Sequence, residues 1–130
     1  MSMKKSIGLV VAVIIMVTAF QLMTSGSNAM LIDMSDTAIT FSGIDDFRHE
    51  VAYADIVSVT LEDVPDWSVW GGHEFGYFRV GHMEGYVLFA TTQSDRVIVA
   101  ELADGSRMVF NYHNNSATDG IYHMLLENVK

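Results

Sequence analysis

The chain has 130 residues, with sixteen acidic and seven basic side chains and a formal net charge of −9. This charge repels nucleic acid and anionic lipid headgroups, so neither is an expected partner. There is no cysteine, which excludes disulfides and a lipid-modified cysteine and leaves an apolar core as the source of stability.

The first thirty residues have the pattern of a membrane-targeting segment. Lys4 and Lys5 precede an apolar run from Ile7 to Met23. As a helix, this run would extend about 25 Å, slightly less than the ~30 Å hydrocarbon core. It predicts either a transmembrane anchor or a signal peptide cleaved after Ala29. The anchor is favoured because the run exceeds the usual apolar region of about 7–15 residues in a signal peptide.

Both alternatives predict the same side of the membrane for the rest of the chain. Positive charge stays on the cytoplasmic side, and here it precedes the apolar run. We therefore expect residues 1–29 to be a membrane anchor or signal segment. Residues 30–130 are expected to form one domain outside the cell membrane, or a secreted domain if the segment is cleaved.

From Ala38 onward the sequence has the short period of β-strands. Seven runs are predicted as strands: residues 38–43, 47–53, 56–61, 77–80, 86–91, 97–102 and 107–112. Asp104-Gly105 between the last two runs is the strongest hairpin signal, and residues 81–85 are expected to form the turn of an earlier hairpin. Three apolar residues at corresponding places in successive strands are expected to face the core: Phe89, Ile98 and Phe110.

The C-terminal residues change to a helical period. Three residues offer helix caps: Asn114, Asn115 and Ser116. Ser116 and Asp119 approximate a capping box. The apolar residues that share one face are Ile121, Met124 and Leu125. The predicted fold is mainly β, an antiparallel barrel or sandwich of about seven strands with one amphipathic C-terminal helix that closes an open end.

The order of hairpins, glycines and closing helix between about Ile39 and Leu126 is similar to that of a known family. The motifs that carry the similarity are residues 53–56 (YADI), 76–81 (GYFRVG), 85–90 (GYVLFA), 97–102 (VIVAEL), 104–105 (DG) and 108–111 (MVFN). They resemble the bacterial pleckstrin-homology-like (PH-like) domains of small membrane-anchored proteins. The resemblance implies a seven-stranded PH-like barrel with a C-terminal helix, and it brings neither catalytic residues nor an agreed ligand.

An aromatic, glycine-rich segment supplies the candidate binding residues, which are Trp67, Trp70, His73, Phe75 and Tyr77. Exposed aromatic side chains beside glycines are typical of contact surfaces for proteins, glycans or the membrane interface. In the alternative interpretation the two tryptophans fold back and plug a barrel end. The plug is favoured because a small domain without disulfides needs large apolar side chains in its core.

No catalytic motif is present, and the sequence predicts no enzyme, no cofactor and no metal site. The five histidines form no metal-binding motif. The predicted function is a non-enzymatic binding or protein-interaction module with a membrane or envelope partner. The alternative is a small-molecule or metal-sensing domain that uses residues 67–77 and nearby histidines.

Overall fold

The computed structural model describes residues 30–64 and 66–129, apart from the side chains of Asp45 and Val69. The chain divides into two units, Met1–Tyr53 and Ala54–Lys130. The predicted anchor or signal segment, residues 1–29, lies outside the described residues, so it and the predicted 30–130 domain stay predictions. Within the described ranges, no helix is long and apolar enough to cross a membrane.

The described part of the first unit is a three-stranded antiparallel sheet. Its strands, in spatial and chain order, are β1 (Leu31–Met34), β2 (Ala38–Ser42) and β3 (Arg48–Ala52). Alternate residues share a face, and the strand register places the buried apolar side chains together: Ile32, Met34, Ile39, Phe41 and Val51.

Tyr53 makes two hydrogen bonds to the turn between β1 and β2. Its hydroxyl donates to the Ser35 carbonyl at 2.8 Å, and its backbone N–H donates to the Thr37 carbonyl at 2.9 Å. Burial, together with the negative charges of Asp33 and Asp36, raises the pKa of Tyr53 to about 12. Ionisation of this phenol is therefore linked to loss of the folded state.

The second unit contains one six-stranded sheet and the C-terminal helix. Its elements are β4 (Ile56–Asp63), β5 (His73–Phe75), β6 (Phe78–Met83), β7 (Tyr86–Thr91), β8 (Arg96–Leu102), β9 (Arg107–Phe110) and α1 (Asn115–Asn128). The spatial order is β4-β8-β9-β7-β6-β5. Neighbours are antiparallel except for β7 and β9, which are parallel because β9 turns back from β8 and inserts beside β7.

The mainly β fold with one C-terminal helix is confirmed, as is the hairpin at Asp104-Gly105. All seven predicted strands are present, and two short ones are additional: β1 with four residues and β5 with three. The closed, all-antiparallel barrel is wrong for the described part of the chain. There the strands form two sheets with free edges, and one strand pair is parallel.

Phe89, Ile98 and Phe110 share one buried face of the six-stranded sheet, as predicted, because Phe110 is the register partner of the other two. Helix α1 packs against β4 and β8 on this face, with Ile121 and Leu125 buried. The helix therefore covers a sheet face, whereas it was expected to close a barrel end.

The start of α1 differs from the predicted capping box. The Asn114 side chain accepts a hydrogen bond from the Ala117 N–H at 2.8 Å and so caps the helix. Asp119 instead accepts a bond from the Arg96 guanidinium at 2.5 Å. The capping box of Ser116 and Asp119 is thus wrong, because a cation from β8 binds the carboxylate.

Candidate functional site

The two tryptophans of the candidate segment pack against the sheet face opposite α1. This face carries a buried apolar cluster, here called the valine cluster: Val64, Leu88, Ala90, Val97, Val99 and Val109. Trp67, Trp70 and Tyr86 are partly buried against it. Both tryptophans therefore occupy the position of packing residues on an open sheet.

A capped 3₁₀ turn over Trp67–Val69 positions the first tryptophan. The Asp66 carboxylate accepts a hydrogen bond from the Ser68 N–H at 3.0 Å, and this bond lowers the pKa of Asp66. The Trp70 N–H then donates to the Trp67 carbonyl at 3.2 Å. The cap fixes the direction in which the segment leaves the turn.

Tyr86 on β7 fixes the second tryptophan. Its hydroxyl donates to the Trp70 carbonyl, and the two rings meet edge to face with centroids 5.8 Å apart. Such pairs add stability beyond the area they bury. Trp70 is therefore held by a residue sixteen positions further along the chain.

The glycines after Trp70 are required by packing. Gly71 and Gly72 both have positive φ, at 70° and 84°. A methyl group on Gly72 would lie 3.0 Å from Leu88 Cδ2 and 3.2 Å from the Val80 carbonyl oxygen. The close approach of this backbone to the sheet accounts for the glycine pair.

The remaining candidates lie on the β5–β6 hairpin at one edge of the sheet. Gly76, with φ of 60°, begins its two-residue turn, and Tyr77 completes the turn with 63% of its surface exposed. His73 is exposed and Phe75 half-buried. Their rings lie 6.2 Å apart on the same face of β5. We call His73, Phe75 and Tyr77 the hairpin surface.

Arg79 braces this hairpin, and sequence reasoning missed it. Its guanidinium Nη1 donates to the carbonyls of Gly76 and Phe78 at 3.2 and 3.1 Å. Its Nη2 lies 3.7 Å from Glu74 Oε1, on the directly opposite residue of β5. The only sequence signal was this acidic and basic pair flanking a glycine turn. These contacts restrict the conformation of the turn.

The structure therefore divides the five predicted binding residues. Trp67 and Trp70 lie against the valine cluster, whereas the residues of the hairpin surface lie on an edge hairpin, where His73 and Tyr77 are exposed and Phe75 is half-buried. A contact role suits the second group better, because aromatic side chains bind partners only where a partner can reach them.

Histidines do not assemble with other ligands in the described structure. Among residues 30–64 and 66–129, no group of three or more His, Cys, Asp or Glu side chains could hold a metal ion. Burial lowers the pKa of His113, whose ring lies 3.9 Å from that of Tyr112. The metal-sensing alternative stays a prediction.

No family model, no curated protein and no solved structure matches this chain. Its class therefore comes from the fold alone: a mainly β protein with two sheets and a C-terminal helix. The resemblance to bacterial PH-like domains stays a prediction.

Proposed function

We propose that this chain is a non-enzymatic binding module whose hairpin surface contacts a protein partner. The observation that carries the proposal is Tyr77, a large aromatic side chain left 63% exposed on a turn that Arg79 braces. Aromatic residues dominate the binding energy of protein interfaces. A braced turn also loses little conformational entropy when it is bound, which favours affinity.

We further propose that Ile7–Met23 holds the module at the outer face of a bacterial cytoplasmic membrane. The support is the sequence alone: Lys4 and Lys5 before the apolar run, and an acidic chain after it. The similarity to PH-like domains of membrane-anchored proteins agrees with such an arrangement. Protease added to intact spheroplasts is expected to digest the module, and protection until lysis would contradict this topology.

Photo-crosslinking in intact cells tests the binding surface. We expect p-benzoylphenylalanine in place of Tyr77, which keeps an aromatic ring there, to crosslink to a discrete protein. The matched control is the same replacement at Val57, which is 68% exposed on edge strand β4 of the same sheet. Crosslinks to the same proteins from both positions, or none from position 77, would contradict the proposal.

The identified partner then allows a quantitative test. Truncation of an aromatic anchor costs about 2 kcal/mol or more, so we expect Tyr77→Ala to weaken binding roughly thirtyfold. Val57→Ala should leave the dissociation constant unchanged. Both variants should have the same melting temperature as the unmodified chain, since neither side chain is buried.

A further inference from the structure

Met83 differs from the other methionines of the described residues in its exposure. It lies at the end of β6 with 36% of its surface exposed. The remaining four described methionines are buried or half-buried: Met30, Met34, Met108 and Met124. Among the methionines of residues 30–64 and 66–129, an oxidant in solution therefore meets Met83 first.

The Met83 thioether lies where the tryptophan segment meets the sheet. A methyl group on Gly81 would lie 3.3 Å from Met83 Sδ, and one on Gly71 would lie 3.4 Å from Met83 Cε. The Gly81 position is also 3.7 Å from Gly72 Cα. Glycines on the strand and on the segment thus leave a narrow slot, and the thioether fills it.

Trp70 is connected to this slot through Tyr86. Met83 and Tyr86 are register partners across the β6–β7 hairpin. The Tyr86 hydroxyl lies 4.0 Å from the methyl position on Gly71 and donates to the Trp70 carbonyl. A change of volume or polarity at Met83 therefore acts on the residues that hold Trp70.

We propose that Met83 is a site of reversible oxidation by peroxides and that its sulfoxide releases Trp70 from the valine cluster. In this reaction the peroxide O–O bond breaks and an S–O bond forms at Met83 Sδ. The sulfur loses two electrons, and the peroxide is reduced to water or to an alcohol. Methionine sulfoxide reductases, one for each epimer, reverse the modification.

The slot cannot hold the sulfoxide in the same way. The sulfoxide adds an oxygen and a dipole to a side chain whose Sδ lies only 3.3 Å from the methyl position on Gly81 and whose Cε lies only 3.4 Å from the methyl position on Gly71. Movement of Gly71 makes room for the oxygen, and it carries Trp70 away from Tyr86. This site depends on the packing of Met83 alone and holds whether or not the hairpin surface binds a partner.

Tryptophan emission tests the proposal in the full chain. A Trp67→Phe background leaves Trp70 as the only tryptophan, so that its emission is followed alone with excitation at a wavelength that tyrosine does not absorb. With hydrogen peroxide as the oxidant, peptide mass mapping should find Met83 oxidised before Met108. Emission should shift to the red and become quenchable by iodide, and the two reductases together should reverse both changes.

The control variant is Met83→Leu, which fills the slot and cannot be oxidised at this position. Its emission should stay unchanged by peroxide. Oxidised Met83 with unshifted emission, or a Met83→Leu chain that responds like its parent, would overturn the proposal. Met83→Gln places a polar group in the slot and should show the red-shifted emission without oxidant; blue-shifted emission would also count against it.

Discussion

Asn111 joins the ends of three strands, and its replacement should lower the stability of the second unit. Residues 92–95 connect β7 to β8 although β9 lies between these strands. The Asn111 side chain is fully buried at this crossing. Its Oδ1 accepts from the Thr91 N–H at 2.7 Å, and its Nδ2 donates to the carbonyls of Thr91 and Arg96, each at 3.0 Å.

The change to test is Asn111→Leu, which keeps the volume and removes all three hydrogen bonds. The Thr91 N–H loses its partner, at a cost of about 1–3 kcal/mol. Both carbonyls keep a second donor from Ser94, at 3.4 Å for Thr91 and 3.1 Å for Arg96, so each lost bond costs about 0.5–1.5 kcal/mol. The total is about 2–6 kcal/mol, a large share of the ~5–15 kcal/mol that stabilises a small domain.

Urea unfolding followed by tryptophan emission measures this loss. The matched control is Asn128→Leu in the last turn of α1, where the side chain donates a single part-buried bond to the Met124 carbonyl at 2.8 Å. The control should lose less than about 1 kcal/mol. If Asn111→Leu also stays within that limit, the buried amide does not hold the crossing together and the reasoning fails.

Three further changes probe the core and two titrating groups. Phe110→Ala should cost about 3–5 kcal/mol in urea unfolding because the side chain is fully buried, and a melting temperature near that of the unmodified chain would contradict this. Folding keeps the Tyr53 phenol neutral, so stability present below pH 10 should fall by about 2–3 kcal/mol as the pH rises towards 12. Tyr53→Phe should lack this fall, and an equal fall in both chains would exclude Tyr53 as its source. Burial lowers the pKa of His113, so stability should decrease as the pH falls through about 6.5, where the unfolded chain takes up the proton. In His113→Asn, whose new side chain tolerates the φ of 38°, the melting temperature should depend less on pH below about 6.5. An unchanged pH profile would show that His113 is not the source of the acid sensitivity.

The strands could be predicted because their signals are local. Runs of β-branched, aromatic and other apolar residues mark β7 and β8, and Asp104-Gly105 marks the turn that follows β8. Phe89, Ile98 and Phe110 could be placed on one face because they stand at corresponding places in successive strands. Strand β5 has only three residues, too few for an alternation to be recognised, and β1 reads Leu-Ile-Asp-Met, which does not alternate.

The order of the strands could not be predicted, because alternation assigns a face and does not assign a neighbour. The parallel pair β7–β9 depends on β9 inserting at a crossing that only buried polar groups make stable. In the sequence, Asn111 is one polar residue near the end of a strand. Likewise, Asp119 matches a capping box locally, but Arg96, far away in the chain, binds it.

The sequence predicted residues 67–77 as one candidate segment, but it could not separate the residues that pack against the sheet from those that are exposed. Trp70 and Tyr77 have similar local surroundings in the sequence, with aromatic and glycine neighbours. They differ in their contacts with residues distant in the chain. Trp70 packs against Tyr86 and the valine cluster, whereas Tyr77 is exposed to solvent. Gly71 and Gly72 lie between the two regions and turn the chain from one to the other. A substitution at Trp70 is therefore expected to change stability, and under the proposed function one at Tyr77 is expected to change binding.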